Sequence, residues 1–132
     1  MYSKLMVPVD LTHEGALDKA IQTAKDLAGL YKAEITYVAV TASTPGKIAH
    51  TPEEFQEKLD AWAEAHGGTG HMVVSHDPSI DIDDALLSAA DEIGADLVVM
   101  ASHVPNLADH LWPSHGGKLA GHAKTTVMVV RG

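Results

Sequence analysis

The chain has 132 residues, of which 45% are apolar, contains no cysteine and carries a formal net charge of -9 at pH 7. A chain of that size is expected to form a single domain over residues 1–132 around one core, and without cysteine it uses neither disulfides nor thiolate chemistry. The acidic balance argues against nucleic acid and anionic membranes as partners, because both are bound through clustered Lys and Arg, and no apolar run approaches the roughly 20 residues of a bilayer span.

Met1-Tyr2-Ser3-Lys4 runs directly into Leu5-Met6-Val7-Pro8-Val9-Asp10, without the apolar core and cleavage site of a secretory leader, so a cytoplasmic location is expected. Lys4 to Val9 is apolar beyond its first residue, as a strand covered on both faces should be. Thr12 is placed to cap the following helix, with Glu14 in its first turn. Ala16, Leu17, Ala20, Ile21, Ala24, Leu27, Ala28 and Tyr31 then recur at helical spacing. Glu34 to Val40 reads as the second strand, and Thr41 to His50, with Pro45-Gly46, as a loop. Thr51-Pro52-Glu53-Glu54 combines a capping box with proline at the first helical position. Phe55, Leu59 and Trp62 share a face of that helix, which stops at Gly67-Gly68.

His71 to Ser75 is the third strand, and Asp77-Pro78 turns the chain. Asp81, Asp83 and Asp84 crowd the start of a helix whose apolar face is Ile82, Ala85, Leu86, Ala89, Ala90 and Ile93, and Gly94 ends it. Asp96 to Ala101 is the fourth strand. A polar loop, a helix opening at Ser114 and a closing strand from Thr126 to Val130 complete the chain. This alternation of strands and helices with short connections predicts an α/β fold, a doubly wound parallel sheet under right-handed crossovers. Ligands of such sheets settle outside the carboxyl ends of the strands, which directs attention to the loop after Met100.

With these elements placed, the chain resembles the universal stress protein family over essentially its full length. The resemblance is carried by Leu5 to Asp10, by Ala85 to Met100, by Ser102-His103, and by His122-Ala123 followed by Val127 to Arg131. It implies a five-stranded parallel sheet of order 3-2-1-4-5 with helices on both faces, Rossmann-like and of the adenine nucleotide alpha hydrolase-like kind. It also implies a homodimer, often formed through the last strand, here Val127, Met128, Val129 and Val130. Many members of the family bind ATP through a loop of the form Gly-x2-Gly-x9-Gly-Ser/Thr. Glycines there let backbone amides approach the phosphates, and a hydroxyl at the next helix start completes the cradle.

Carried over position by position, that motif falls on Ala101, Val104, Ser114 and His115, all of them changed, with Gly116 following. Val104 is the most damaging change, since a β-branched residue resists positive φ and fills space near the phosphates. The remainder of the family's nucleotide pocket corresponds to Pro8, Val9, Asp10, Val40 and Met100, so an adenine-shaped slot can persist without the triphosphate cradle. The pattern resembles the branch of the family that does not bind ATP.

Each of these residues also has a plainer reading. Asp10 is placed to contact a nucleotide, or to form a turn by bonding nearby amides. Ser114 is the N-cap of the last helix, or a donor to an anion; Ser114-His115-Gly116-Gly117 is either an altered anion site or a set of tolerated substitutions. Trp112 is a lid or an interface anchor. Nine histidines are present, but His103, His110, His115 and His122 lack metal-ligand spacing, and no metal is expected. There is no nucleophile elbow, no Walker loop and no cysteine nucleophile, so no enzymatic activity is expected. The expected function is that of a dimeric interaction module in a stress or regulatory response, without a cofactor and with an unidentified protein partner. The alternative is a sensor of a small ligand or adenine nucleotide, ATP or AMP.

Overall fold

Leu5, Met6 and Val7 have no exposed surface at all, because the strand that carries them lies in the middle of a sheet covered on both faces. The computed structural model describes residues 1–11, 15, 17–42, 49–75, 82–101 and 124–131. Within them the elements are β1 (Lys4–Pro8), α1 (Asp18–Tyr31), β2 (Glu34–Ala42), α2 (Pro52–Ala65), β3 (Thr69–Ser75), α3 (Ile82–Ile93), β4 (Leu97–Ala101) and β5 (Thr126–Val130). The strands form one sheet of order β3-β2-β1-β4-β5, every pair parallel. The expected helix at Ser114, the Thr12 cap and the turns at Pro45-Gly46 and Asp77-Pro78 lie outside the described residues. None of the described helices is long and apolar enough to cross a membrane.

Side chains alternate across the sheet and divide the core in two. On one face Leu5, Val7, Ile35, Tyr37, Leu97 and Val99 pack against Leu17, Ile21 and Ala24 beside α1 and Phe55, Leu59 and Ala63 of α2. On the other Met6, Val38, Val98 and Met100 pack against Leu86, Ala89 and Ala90 of α3. Each fully buried leucine or valine contributes about 2 kcal/mol. Lys19 near the start of α1 donates to the Arg131 carbonyl at 2.6 Å, tying that helix to the end of β5.

α2 begins where its sequence predicts, with the Thr51 half of the capping box formed and the Glu54 carboxylate bonded one residue further back than the box requires. Thr51 accepts the Glu54 amide at 3.1 Å, Pro52 takes the first turn, and Glu54 reaches back to the His50 amide at 3.4 Å. The helix ends against the sheet, where Tyr37 donates its hydroxyl to the His66 carbonyl at 2.8 Å. Burial pushes the Tyr37 pKa up to about 12. Trp62 meets the Tyr37 ring edge-on and stacks on His66. Gly68 passes so close to β2 that a Cβ there would lie 2.7 Å from the Ile35 carbonyl oxygen, so only glycine fits.

Asp96, expected to open the fourth strand, precedes it and has a different task. Its Oδ2 accepts the Ser3 amide at 2.9 Å and the Ser3 hydroxyl at 3.0 Å, its Oδ1 accepts the Lys4 amide at 3.0 Å, and its own amide donates to the Lys4 carbonyl. The Ser3 amide is the main cause of a carboxyl pKa held below its ordinary 3.8. A depressed folded-state pKa gives stability that is fully present above the ordinary value and lost as pH falls through the lowered one. Asp96→Ala is therefore expected to cost about 1 kcal/mol at pH 7, a figure reduced for solvent screening. Urea unfolding should show the difference between the two proteins shrinking as pH falls below the ordinary 3.8; a difference independent of pH would refute this role.

Candidate functional site

The direction of the chain reverses between β1 and β4: β2 and β3 build outward on one side of β1, and β4 and β5 on the other. A crevice forms at the carboxyl ends of the strands at such a point. β1 sets its shape through a parity. Glu34 N–H bonds the Ser3 carbonyl and Val9 N–H bonds the Val38 carbonyl, so odd-numbered residues of this segment turn their backbone toward β2. Lys4 turns its carbonyl toward β4, where it accepts from Asp96. Pro8 therefore faces β4 with the one residue type that has no N–H to offer.

The consequence is visible in the pairing. β1 pairs with β2 over Lys4 to Pro8, but with β4 only at Leu5↔Leu97 and Met6↔Val98. Proline inside a central strand is disfavoured because it breaks a ladder; here it stands at the last residue of β1, where the ladder to β4 ends. The family resemblance names Pro8 as a pocket residue and gives no sign of which neighbour it faces.

The candidate residues reach this end of the sheet from different sides. Val9 and Ala101 belong to the α1/α2 face, whereas Val40 and Met100 belong to the α3 face. Pro8, Val9, Met100 and Ala101 are buried, while Asp10 and Val40 are half-exposed. Extending the β1–β2 register beyond Pro8↔Val38 sets Asp10 level with Val40. The described wall thus presents one carboxylate and one branched apolar side chain, with buried apolar groups behind them. Val104, Ser114, His115 and Gly116 lie outside the described residues, as do Trp112 and the four histidines of that segment. Among the described residues no group of three or more His, Asp or Glu is placed to hold a metal.

An acid-ended central strand beside a switch-point crevice places the molecule among the Rossmann-like α/β proteins. Residues 1–131 match the model of the universal stress protein family, and the chain belongs to that family. It is 30% identical over 145 residues to universal stress protein G of Shigella flexneri, covering 99% of this chain and 100% of that one. Among solved structures it is similar to a universal stress protein in complex with cAMP, at 23% identity and a TM-score of 0.65, covering 98% of this chain and 97% of that one. It is likewise similar to the universal stress protein from Archaeoglobus fulgidus in complex with dAMP, at 20% identity and a TM-score of 0.63, covering 97% of each chain.

Pro8→Ala tests the parity. The amide it supplies is expected to extend the β1–β4 ladder and exchange with solvent about as slowly as that of Met6. Exchange at the rate of an open loop would show that something other than the missing donor ends the pairing.

Proposed function

We propose that this protein is a cytoplasmic, non-enzymatic interaction module of a stress or regulatory response. It acts as a homodimer joined through β5, carries no resident cofactor and engages an unidentified protein partner. The observation that carries this reading is the outer edge of β5. Val127, Met128, Val129 and Val130 present no charge and no proline there, and Met128 is 38% exposed. Among the described residues no strand pairs with that edge. Isolated proteins blunt an apolar edge strand with charge, proline or a bulge, and an unblunted edge is a template for another chain.

The edge is best tested at Met128. Val129 packs against the α3-side core, so a lysine there would strain the fold as well as the edge, whereas Met128 lies on the opposite face of the strand and is exposed. Met128→Lys is expected to convert the dimer to monomer in sedimentation velocity, with a thermal midpoint within a few degrees of the parent's. A dimer that persists in the variant would move the interface elsewhere.

A second reading is favoured by the two structural relatives whose bound molecules, cAMP and dAMP, are adenine nucleotides carrying a single phosphate. In this chain the crevice would accept an adenine mononucleotide beside Asp10 and Val40, while Ala101, Val104, Ser114 and His115 stand where a triphosphate cradle needs glycines and a hydroxyl. Calorimetry with ATP, AMP and cAMP at pH 6 and pH 8 separates the readings. ATP is expected to bind no more tightly than AMP under either condition. Heat from AMP or cAMP would establish the sensor, and ATP binding about ten-fold tighter than AMP would overturn the loss of the cradle.

A further inference from the structure

β3 is the other edge of the sheet, and its chemistry is unlike that of β5. Even-numbered residues of β2 turn their backbone toward β1, as the Glu34 and Val38 bonds show, so Ile35, Tyr37, Ala39 and Thr41 face β3. With Thr36 level with Thr69, Thr69, His71, Val73 and Ser75 bond to β2, and Gly70, Met72 and Val74 turn their N–H and C=O outward. The register runs without a bulge from Thr36↔Thr69 to Ala42↔Ser75. The strand contains no Lys, Arg, Asp, Glu or Pro. It has none of the usual blocks to pairing, and no strand among the described residues covers it.

Carboxylates flank this edge on both faces. On the α2 side, Asp60 Oδ1 lies 2.9 Å from where a Cβ on Gly70 would sit, and Gln56 donates to it at 2.6 Å. On the α3 side, Glu92 Oε2 lies 3.3 Å from His71 Nε2. Glu57 and Glu64 on α2 and Asp91 on α3 are also exposed. The one cation of these two helices, Lys58, sits 3.3 Å from Glu54. A second copy docking here would bring like charges together; β5 has no carboxylate of its own.

We infer that the β3 edge is the docking site of an extended, basic segment of a partner protein. That segment adds as a further strand, bonds to the backbone of Gly70, Met72 and Val74, and directs successive Lys or Arg side chains to opposite faces, one to Asp60 and the next to Glu92. Main-chain bonds supply the affinity, and the flanking carboxylates select the charge. The inference rests on the interaction-module reading above and gives the chemistry of the partner.

The probe is a labelled octapeptide with cations at successive positions so that both faces carry them, acetyl-Val-Thr-Lys-Arg-Lys-Arg-Thr-Val-amide, titrated at low salt into the full chain and followed by fluorescence anisotropy and amide chemical shifts. Binding is expected to perturb Gly70, Met72 and Val74, and to weaken about ten-fold or more when alternate peptide amides are N-methylated. Val74→Pro removes an outward N–H at a position where an edge strand tolerates proline, and is expected to weaken binding to the same extent. Should that variant unfold, the double variant Asp60→Lys, Glu92→Lys replaces it and is expected to exchange preference to the peptide with Glu at the Lys and Arg positions. Equal affinity for the N-methylated peptide, shifts away from β3, or no binding up to about 1 mM would overturn the proposal. So would self-association through β3, seen as larger oligomers that Val74→Pro abolishes. Sedimentation of the same samples keeps the two readings apart: a monomer that binds the peptide defeats the β5 dimer alone, and a dimer that ignores it defeats the β3 site alone.

Discussion

The pairing of β1 with β4 is the constraint on which the rest depends, because it alone joins the two halves of the sheet. It is fastened at one end and open at the other. Asp96 gathers the Ser3 and Lys4 amides and the Ser3 hydroxyl, fixing where the two strands start relative to one another. A few residues along, Pro8 turns a donorless nitrogen toward β4 and the ladder ends. Parallel strands have evenly spaced bonds and little to terminate them except the loss of a donor or a turn in the chain. A proline at the right parity therefore opens the sheet at its switch point without disturbing β2, which remains paired with β1 through Pro8↔Val38 and bonded to Val9.

What such an opening can hold depends on charge. In a chain of net charge -9, each unit of negative charge brought about 10 Å from a carboxylate costs about 0.4 kcal/mol at the dielectric of water and several-fold more near a protein surface. Asp10 stands at this end of the sheet, so every phosphate beyond the first needs its own donors. Glycine-bared amides are the usual source. If Ala101 and Val104 take two of the glycine positions, as the family resemblance implies, a single phosphate is electrostatically the more tolerable load. The proposed reading and its alternative accordingly differ over whether an adenine group enters, and both propose that the triphosphate cradle is absent.

Much of the architecture was legible in the sequence, for reasons that can be assigned. The unbroken apolar run Leu5-Met6-Val7 announces burial on both faces, the Thr51 to Glu54 box announces a helix start, and Ala20, Ile21 and Ala24 announce a face. These signals are local and periodic. Edges shifted by a residue or two: β2 extends to Ala42, β3 starts at Thr69, and β1 ends at Pro8 instead of Val9. The site was less legible, because backbone parity is a property of pairing. Nothing in Val7-Pro8-Val9 states that the proline faces β4. Nor does the spacing of Asp96 and Ser3, 93 residues apart, reveal that they meet. Val40 and Met100 read alike with Val9 and Ala101 as pocket residues, yet the pleat sends the two pairs to opposite faces.

The two edges of the sheet complete the physical account, since they pose one problem and carry different chemistry. An unpaired parallel edge exposes donors and acceptors whatever its side chains. Along β5 the strand's own side chains, Thr126 to Val130, carry no charge, and the cations Lys124 and Arg131 stand just beyond its ends. Along β3, Asp60 and Glu92 stand on opposite faces of the strand, and a copy related by symmetry would set each carboxylate near another. Like charges brought to about 4 Å repel by about 1 kcal/mol in water and more near a protein surface, and opposite charges attract by as much. The same main-chain template is therefore self-compatible at one end of the sheet and self-excluding at the other. On the two proposals made above, that difference would let one small sheet join to itself and to a second protein without polymerising.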